Sequence, residues 1–474
     1  MPRDKYDAVV IGSGPNGLSA AIALAQSGHS VVVIEAHDTI GGGARTAELT
    51  LPGFRHDVCS SIHPMAVASP FFRELPLDKH GLEWVQPPTP AAHPFDDGTA
   101  AVLERSVDAT ADALGEDGPA YRKRVGALVG MADDLFKDLL GPLRIPRHPI
   151  AALRFGRAAL KSVQGLADKW FTGPKARALL AGMGGHAVLP LDHPPGAAIA
   201  LMLMLAGHAV GWPSPRGGAQ TLSDALASYL RSLGGEIVTG RQVKSLTELP
   251  PSKVVLLDLA PKQVVTLAGD RLTDRYRRKL EKFRYGPGAF KIDYALREPI
   301  PWTAEACRRA GTVHVGGPIE EIAASESAAW AGEVAEKPYL IVTQPGRFDP
   351  TRAPAGQTTA WAYCHVPNGC TADMTGRMEA QLERFAPGFT DCVLVRKVLA
   401  PADIERYDPN YVGGDIGTGA HTLKQMFARP VLSVNPYATS DPGLFICSAS
   451  TPPGGGVHGM CGFAAAQAAR VRLT

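Results

Sequence analysis

Three glycines near the start of the chain have the type and spacing of a phosphate-binding turn. The stretch Gly12-Ser13-Gly14-Pro15-Asn16-Gly17 follows an apolar run at 8–11 and precedes a helical pattern of apolar residues. In such a turn the first glycine permits a sharp change of direction, the second lets a pyrophosphate touch the backbone, and the third lets helix and strand pack closely. Glu35 ends the next apolar run, 31–34, where a carboxylate accepts hydrogen bonds from a ribose. The register of these features predicts a dinucleotide-binding strand–helix–strand unit.

A second glycine-rich stretch follows the second predicted strand. Gly41, Gly42 and Gly43 are consecutive, and Arg45 and Thr46 follow closely. Glycines allow close approach of a ligand to the backbone. Three consecutive glycines and an arginine at this spacing exceed what a surface loop requires, so we assign this stretch to the same site.

A third glycine-rich stretch, TPPGGGVHGMCG, occupies residues 451–462, close to the C-terminus. It follows a short apolar run at 444–447 and precedes FAAAQAAR, whose composition favours a helix. A glycine loop that leads into a helix lets the backbone approach a ligand, and the helix N-terminus offers free N–H groups. The sequence therefore predicts a second ligand-contacting loop, with a helix that begins near 457–460.

Length and composition restrict the remaining possibilities. A chain of 474 residues is long enough for two or three substructures. The 48 basic and 46 acidic residues nearly cancel, so nothing in the charge balance indicates nucleic acid. The seven cysteines contain no C-x-x-C pair and do not resemble a disulfide framework. No metal-binding motif appears, and no apolar leader precedes the first strand, so we expect a cytoplasmic protein without a metal.

The second and third glycine stretches together resemble the glutathione-reductase-like flavoproteins, in the branch that contains amine oxidases and phytoene desaturases. The G-G-x-x-R extension at 41–45 is similar to the fingerprint of that branch, and the stretch at 444–460 is similar to its terminal motif. Two further stretches, PGRFDPTRAPAGQTTAWAYCHVP at 345–367 and FKIDYALREPIPW, narrow the resemblance to the phytoene-desaturase relatives of the pyridine nucleotide-disulfide oxidoreductase domain 2 group. The resemblance covers nearly the whole chain.

This resemblance implies an α/β fold with a Rossmann-like FAD-binding domain, a mixed-sheet substrate domain and a helical cap. The FAD-binding domain is expected from three separate parts of the chain, which the substrate regions interrupt. The implied boundaries are 1–75, 214–282 and 431–474 for the FAD-binding parts, 76–213 for the helical cap and 283–430 for the substrate domain. The family usually inserts a strand–turn–strand where this chain has only the short segment 244–253.

The resemblance also implies non-covalent FAD and the residues that hold it. Arg45 is expected near the phosphates or the flavin, and Val243 near the adenine through its backbone. Ser448 and Ser450 replace residues that are more often glycine or an acid, and their hydroxyls are expected to bond a phosphate or ribityl oxygen. The implied FAD-binding residues are Gly12, Gly14, Pro15, Asn16, Gly17, Glu35, Ala36, Gly42, Gly43, Arg45, Thr46, Val243, Ser450, Val457, His458, Gly459 and Met460.

A flavin carries its own hydride acceptor, so the protein need not supply a nucleophile or a metal. The resemblance implies desaturation, saturation or isomerisation of an apolar substrate, with oxygen, a quinone or another protein as electron acceptor. It leaves open amine oxidation on the same scaffold, and a flavin-bound protein without turnover. The candidates for proton transfer near the flavin are His63, His458, Tyr363 and His365; for each of them a purely structural role is the alternative.

One segment concentrates positive charge. Eight basic residues and a single acid lie between Arg144 and Arg177. On one continuous helix Arg154, Arg157 and Lys161 would share a face opposite an apolar face that includes Leu160. A basic amphipathic helix of this kind can lie on an anionic membrane, and a solvated helix is the alternative.

Overall fold

The computed structural model describes residues 5–142 and 144–473. The strands of these residues are, in chain order, β1 (Tyr6–Ile11), β2 (Val31–Ile34), β3 (Thr46–Ala47), β4 (His56–Asp57), β5 (Trp84–Val85), β6 (Thr89–Pro94), β7 (Ala100–Leu103), β8 (Ser214–Pro215), β9 (Glu236–Val238), β10 (Ser252–Leu257), β11 (Gly288–Leu296), β12 (Ala310–Val315), β13 (Leu340–Thr343), β14 (Thr358–Val366), β15 (Val393–Leu399) and β16 (Leu444–Ile446).

The α-helices of the same residues surround two principal sheets. They are, in chain order, α1 (Pro15–Gln26), α2 (Pro64–Ala68), α3 (Val107–Ala113), α4 (Gly118–Tyr121), α5 (Ala127–Val129), α6 (Ala132–Leu139), α7 (Pro149–Ala159), α8 (Val163–Trp170), α9 (Pro174–Gly185), α10 (Gly196–Ala209), α11 (Ala219–Ser232), α12 (Pro261–Ala268), α13 (Asp274–Glu281), α14 (Glu305–Arg309), α15 (Ile319–Ala331), α16 (Pro345–Phe348), α17 (Thr375–Phe385), α18 (Phe389–Cys392), α19 (Pro401–Tyr407), α20 (Leu423–Phe427) and α21 (Met460–Arg470).

The first sheet is parallel and has the strand order β16-β10-β1-β2-β9. Its strands come from the two ends and the middle of the chain, as expected of an FAD-binding part assembled from separate segments. Every residue of β2 is buried, because helices cover both faces of a parallel sheet. The segment between β9 and β10 contains only a short 3₁₀ turn, so the sheet closes there without an inserted hairpin. This arrangement confirms the predicted Rossmann-like α/β fold.

The second sheet is mixed and has the order β15-β11-β14-β13-β12-β6-β7. Its neighbours are antiparallel except for β12 and β6, which run parallel. The region 76–213, predicted as a helical cap, holds helices α3 to α10 and also contributes β6 and β7 to this sheet. Strand alternation gives the sheet one apolar face and one face of polar and aromatic side chains. The large buried side chains of β11 and β14 on the second face are Lys291, Asp293, Trp361 and His365.

Two predictions about helices have different outcomes. The apolar run at 197–212 forms the buried helix α10, as predicted, and no helix among the described residues is long and apolar enough to cross a bilayer. The prediction of one continuous basic helix is wrong. The chain forms α7 and α8 separately, because Ser162 accepts the N–H of Gly165 and begins a new helix. Leu160 lies at this break and is 53% exposed instead of facing the core.

Helices α1 and α21 pack in close contact along the first sheet. A β-carbon added at Gly462 of α21 would overlap the carbonyl oxygen of Asn16 in α1. A β-carbon at Gly17 would likewise overlap the carbonyl oxygen of Gly12. Glycine is therefore required at both positions, and the contact joins the two ends of the chain.

We expect Gly462→Ala to push α21 away from α1. Overpacking of this kind costs about 1–3 kcal/mol, so the melting temperature should fall. Because Asn16 belongs to the glycine turn, the variant should also lose bound cofactor on dialysis. The matched control is Gly156→Ala in α7, where an added β-carbon meets no atom within 4 Å. This control should gain about 0.4–1 kcal/mol. Equal melting temperatures for the two variants would contradict the packing argument.

Candidate functional site

A cavity of about 760 Å³ opens at the carboxyl ends of the parallel strands. This edge of an open α/β sheet is the usual ligand-binding crevice. Segments far apart in the chain contribute its wall, namely residues 11–16, 34–37, 42–45, 59–60, 62, 241–244, 258–259, 263, 266–267, 406, 408–411, 416, 418, 448–449 and 455–457. The volume lies within the range of cofactor cavities.

The turn before α1 has the geometry that its glycines predict. Gly12 has a φ of +97°, which L side chains rarely adopt. Gly42 approaches so closely that a β-carbon on it would lie 3.0 Å from the Cα of Gly14. The first two glycine-rich stretches thus lie in backbone contact with each other, and both line the cavity. No group among the described residues accepts the N–H of Asn16, and the buried Asn16 Oδ1 also has no partner.

Glu35 lines the cavity with a carboxylate that already accepts several hydrogen bonds. Its Oε2 accepts the N–H of Ser13 at 2.9 Å and the Ser13 hydroxyl at 2.6 Å. Its Oε1 accepts the N–H of His37 at 2.9 Å and lies 3.4 Å from the guanidinium of Arg45. The carboxylate therefore holds the glycine turn and the segment after β2 in fixed positions. Only its remaining lone pairs are left for a ribose.

Arg45 supplies a buried positive charge to the cavity wall. Its guanidinium carbon lies 5.4 Å from the ring centroid of Tyr407, which is cation–π distance. The Tyr407 hydroxyl donates to the carbonyl of Gly42 at 3.0 Å. Arg45 and the glycine stretch therefore share one support from α19, as a phosphate-binding arginine requires.

The C-terminal glycine loop reaches the cavity, but the helix after it does not. Gly455, Gly456 and Val457 line the wall. Gly459 has a φ of +68°, and a β-carbon on it would overlap Ser19 and Phe72. His458, Gly459 and Met460 do not line the cavity, and the prediction that their N–H groups face a ligand stays a prediction. The left-handed turn at Gly459 directs the start of α21 against α1, and the Met460 N–H donates to His458 Nδ1 at 3.1 Å.

The other predicted cofactor residues divide in the same way. Thr46, Gly17 and Ser450 lie outside the wall and support it. Thr46 donates its hydroxyl to Asp57 at 2.8 Å, and Gly17 donates its N–H to Asp258 at 2.9 Å. The Ser450 hydroxyl is hydrogen-bonded to the hydroxyl of Ser448 at 2.6 Å. Those that line the cavity are Gly12, Gly14, Pro15, Asn16, Glu35, Ala36, Gly42, Gly43, Arg45, Val243 and Val457. Ser448, which the sequence analysis expected to bond a phosphate or ribityl oxygen, also lines the wall, and that contact stays a prediction.

The four proton-transfer candidates do not form one cluster. Tyr363 and His365 are neighbours on β14, with ring centroids 5.5 Å apart. His63 and His458 are buried outside the cavity wall, and burial lowers the pKa of each to about 4, so both are neutral at pH 7. His365 is buried with its Nδ1 at 2.9 Å from Glu326 of α15. Its Nε2 has no partner among the described residues.

A second, small cavity of about 10 Å³ adjoins the first. Cys59 and Ile416 line both cavities, so they mark the junction. The other residues around the small cavity are mostly apolar or aromatic: Val58, Ala289, Lys291, Trp361, Tyr363 and Ile404. Sequence reasoning did not single out Cys59, which lies two residues after β4. Burial raises the pKa of its thiol to about 12, so the thiol stays protonated at neutral pH.

Buried ion pairs fix the segment that carries Cys59. Asp57 pairs with both guanidinium nitrogens of Arg352 and accepts the N–H of Ala219 at 2.8 Å. Burial opposes ionisation of Asp57, but Arg352 outweighs it and holds the pKa at about 2. Lys291 Nζ donates to Asp293 at 2.6 Å and to the Asp57 carbonyl at 3.1 Å. Lys291 thus joins the segment before Cys59 to β11, and Arg352 joins it to the 3₁₀ turn at Pro350–Arg352.

The residues present fit a dinucleotide cofactor. The glycine turn leaves backbone bare where phosphates would lie, the unpartnered Asn16 side chain faces the wall, and Arg45 offers a cation. Among the described residues no group of three or more His, Cys, Asp or Glu side chains is arranged to hold a metal ion.

Comparisons with known proteins agree with this geometry. A family model described as an NAD(P)-binding Rossmann-like domain matches residues 10–75. The rat pyridine nucleotide-disulfide oxidoreductase domain-containing protein 2 is 27% identical over 97% of this chain and 92% of its own length. The neurosporene-forming phytoene desaturase of Rhodobacter capsulatus is 26% identical over 96% of this chain and 92% of its own. The carotenoid 3,4-desaturase of Haloarcula japonica is 23% identical over 96% and 95%.

Solved structures share the fold. An oxidoreductase from Methanosarcina mazei superposes with a TM-score of 0.67 at 17% identity, covering 98% of this chain and 100% of that one. A putrescine oxidase double mutant superposes with a TM-score of 0.63 at 16% identity, covering 99% of both chains. Together the comparisons confirm the resemblance to phytoene-desaturase-related flavoproteins close to the pyridine nucleotide-disulfide oxidoreductase domain 2 group. The chain is an FAD-dependent oxidoreductase with a flavin cofactor.

We expect Glu35→Gln to weaken FAD binding at least tenfold. Hydrogen bonds to a charged group are worth about 1.5–3 kcal/mol. The amide would also place an NH₂ group against N–H and O–H donors whose hydrogen bonds the Glu35 carboxylate now accepts. The dissociation constant for FAD, measured by fluorescence quenching on protein freed of flavin, checks this. Asp38→Asn removes the same charge from an exposed position in the same loop and should bind FAD like the unaltered protein. Equal constants for both variants would contradict the role of Glu35.

Proposed function

We propose that the protein binds FAD non-covalently and transfers hydride between the flavin and a carbon atom of an apolar, isoprenoid, polyene or lipid-like substrate. The product would be a desaturated, saturated or isomerised carbon skeleton. A bound flavin supplies the hydride-accepting N5 atom. The observation that carries the proposal is the junction of the two cavities at Cys59, where the cofactor cavity meets a small cavity with an apolar and aromatic wall.

The wall residues divide along the cofactor cavity. Glu35 and Val243 would hold the adenosine end, and the glycine turn with Arg45 the phosphates. Cys59 and Val457 would line the flavin end. The small cavity is too small for a substrate in this structure, so its walls must separate when substrate enters. Trp361 and Tyr363, stacked with centroids 5.4 Å apart, would then face the substrate carbon.

His365 is the residue we propose to receive the substrate proton. Glu326 holds its Nδ1, which orients the ring as the carboxylate does in a base–orienter pair. The Nε2 atom is buried without a partner among the described residues and is free to accept. Burial raises the pKa of the neighbouring Tyr363, so its hydroxyl stays protonated. Tyr363 can therefore donate a hydrogen bond or relay a proton, but it is not the base.

The desaturase relatives resemble this chain in sequence and the amine oxidase resembles it only in fold, which favours desaturation over amine oxidation. The desaturase relatives match in sequence along almost the whole chain. Putrescine oxidase matches in fold at 16% identity. Electrons would leave to oxygen, a quinone or another protein. The glycines of 182–185 lie inside α9 and do not follow a strand, so they form no second dinucleotide turn.

We expect the purified protein to carry FAD that acid precipitation releases into the supernatant. The physical reason is that Cys59, the thiol on the cavity wall, stays protonated at neutral pH, while Cys447 and Cys461 are fully buried elsewhere. Anaerobic mixing with isoprenoid alkenes, polyenes, fatty acyl compounds and amines should bleach the flavin absorbance with an apolar compound and not with an amine. Re-oxidation by oxygen or a quinone then identifies the acceptor.

His365→Gln is the matched variant for this experiment. It should keep the flavin content and slow bleaching, because a side chain that cannot take up the proton replaces the imidazole. Cys59→Ser should bleach normally and also release its flavin. Yellow colour that stays in the acid pellet would contradict non-covalent binding. Bleaching by amines alone would contradict the proposed substrate class.

The exposed side chains between α6 and α8 suggest contact with an anionic membrane surface, which we include in the proposal. Ile145, Ile150, Leu153 and Leu160 are between 53% and 91% exposed. The basic residues Arg154, Arg157 and Lys161 lie among them. Exposed aliphatic side chains within a basic surface match the apolar interior and the negative headgroups of such a membrane.

Reversing Arg154, Arg157 and Lys161 to Glu should abolish co-sedimentation with liposomes that contain phosphatidylserine. Each basic residue near the surface contributes about 1 kcal/mol, and salt screens this attraction. The control carries the same reversal at Arg275, Arg278 and Lys279 on the exposed face of α13 and should still co-sediment. If the unaltered protein stays in the supernatant at low salt, the segment is a solvated surface.

A further inference from the structure

A carboxyl group of the protein lies at the phosphate end of the cofactor cavity. Negative charge at this end is expected from the phosphates of the ligand and not from the protein. Asp258 directly follows β10 and lines the cavity. Its Oδ2 accepts the N–H of Gly17 at 2.9 Å, and its own N–H donates to the carbonyl of Ile11 at 2.8 Å. A β-carbon added at Gly14 would lie 2.8 Å from Oδ2. The carboxyl therefore lies against the glycine turn, at the first turn of α1.

The charges that act on Asp258 across the cavity are negative. Burial raises the pKa of this carboxyl to about 7, and two carboxylates, Asp408 from the segment after α19 and Glu35 from the end of β2, add to the effect. The N–H of Gly17 on α1 acts in the opposite direction. Tyr411 also faces it, and burial keeps this phenol protonated by raising its pKa.

Two thiols complete the surroundings. Cys447, after β16, and Cys461, in α21, both interact with the Asp258 charge, and burial raises the pKa of both, so they are uncharged. Arg45 is paired with Glu35, and no ion pair joins it to Asp258. Within the described part of the chain, the carboxyl of Asp258 consequently has no cation of its own to balance a negative charge.

A dinucleotide pyrophosphate would bring two further negative charges to this end of the cavity. Anions that share a buried site cannot all stay ionised, and the weakest acid among them takes up a proton. The phosphates are much stronger acids than a buried carboxyl. We propose that Asp258 takes up one proton when FAD binds and remains a neutral carboxyl that donates a hydrogen bond to the cofactor phosphate.

The proton links FAD affinity to pH in a defined direction. Below a pH equal to the pKa of about 7, the carboxyl is already protonated in the protein without cofactor, so binding takes up no proton and affinity is independent of pH. Above this value each FAD must bring one proton with it. The dissociation constant should then rise tenfold for each pH unit, until the pH passes the pKa of Asp258 in the complex. Affinity is therefore lost on the alkaline side.

The test is the dissociation constant for FAD, by fluorescence quenching on flavin-free protein, between about pH 6 and pH 9. The unaltered protein should lose roughly ten- to hundred-fold in affinity above about pH 7. Asp258→Asn keeps an oxygen for the Gly17 N–H and an NH₂ donor for the phosphate, so its affinity should not change with pH. Asp408→Asn removes a carboxylate from the same cavity. Because that carboxylate raises the pKa of Asp258, this variant should keep the tenfold slope but begin to lose affinity at a lower pH.

Calorimetry in buffers of different ionisation enthalpy counts the proton directly and needs no variant. At about pH 8.5 the unaltered protein should take up one proton per FAD, and below about pH 6 almost none. A constant affinity with no proton uptake, or an unchanged slope in Asp258→Asn, would overturn the inference. The inference rests on FAD as the cofactor. Failure of the unaltered protein to bind FAD at any pH would overturn the cofactor proposal instead.

Discussion

The contact between the first and the last helix is the constraint on which the cofactor cavity depends. α1 and α21 approach so closely that Gly462 cannot carry a side chain, and at Gly17 the glycine turn itself leaves no room for one. This contact joins the two ends of a chain of 474 residues, and it places the glycine turn beside the C-terminal loop. Because glycine has no β-carbon, both backbones can contribute to one wall. The close packing is thus what turns two sequence motifs into one site.

Buried charge is the second organising feature, and buried charges are paired differently around the two cavities. Behind Cys59, carboxylates meet cations directly, as Asp57 meets Arg352 and Lys291 meets Asp293. Removing one partner of such a pair would leave an uncompensated charge, so these pairs hold the segment before Cys59 in one position. In the cofactor cavity the carboxyl groups of Glu35, Asp258 and Asp408 face one buried arginine, Arg45. The wall also contains the exposed cations Arg241, Lys244 and Arg406, so the excess of acids is confined to its buried part. A neutral Asp258 would relieve that excess.

Much of the fold and part of the site follow from local pattern. The turn at 12–17, the following helix and Glu35 are contiguous in sequence, and their spacing alone specifies a strand–turn–helix–strand unit. The C-terminal motif was recognisable for the same reason. The start of α21 near 457–460 was predicted too. The direction of its first turn was not, because the left-handed turn at Gly459 is set by its contact with Ser19 and Phe72, which no local pattern contains. The division of the basic segment into two helices depended on one serine that begins a new helix instead of continuing the old one.

The sequence by itself determined that the chain forms a dinucleotide-binding sheet, and which loops approach the cofactor, because these properties depend on glycines and alternating apolar residues close together in the chain. The tertiary structure alone decided which distant residues complete the site. Cys59, Asp258 and Asp408 lie far apart in the chain and carry no common motif. Asp258 reaches the cavity because β10 ends at the carboxyl edge of the parallel sheet, whereas Cys59 after β4 and Asp408 after α19 are brought to the same cavity by packing of other parts of the chain. Whether each of them is charged there is set by burial and by its neighbours, which exist only once the chain has folded.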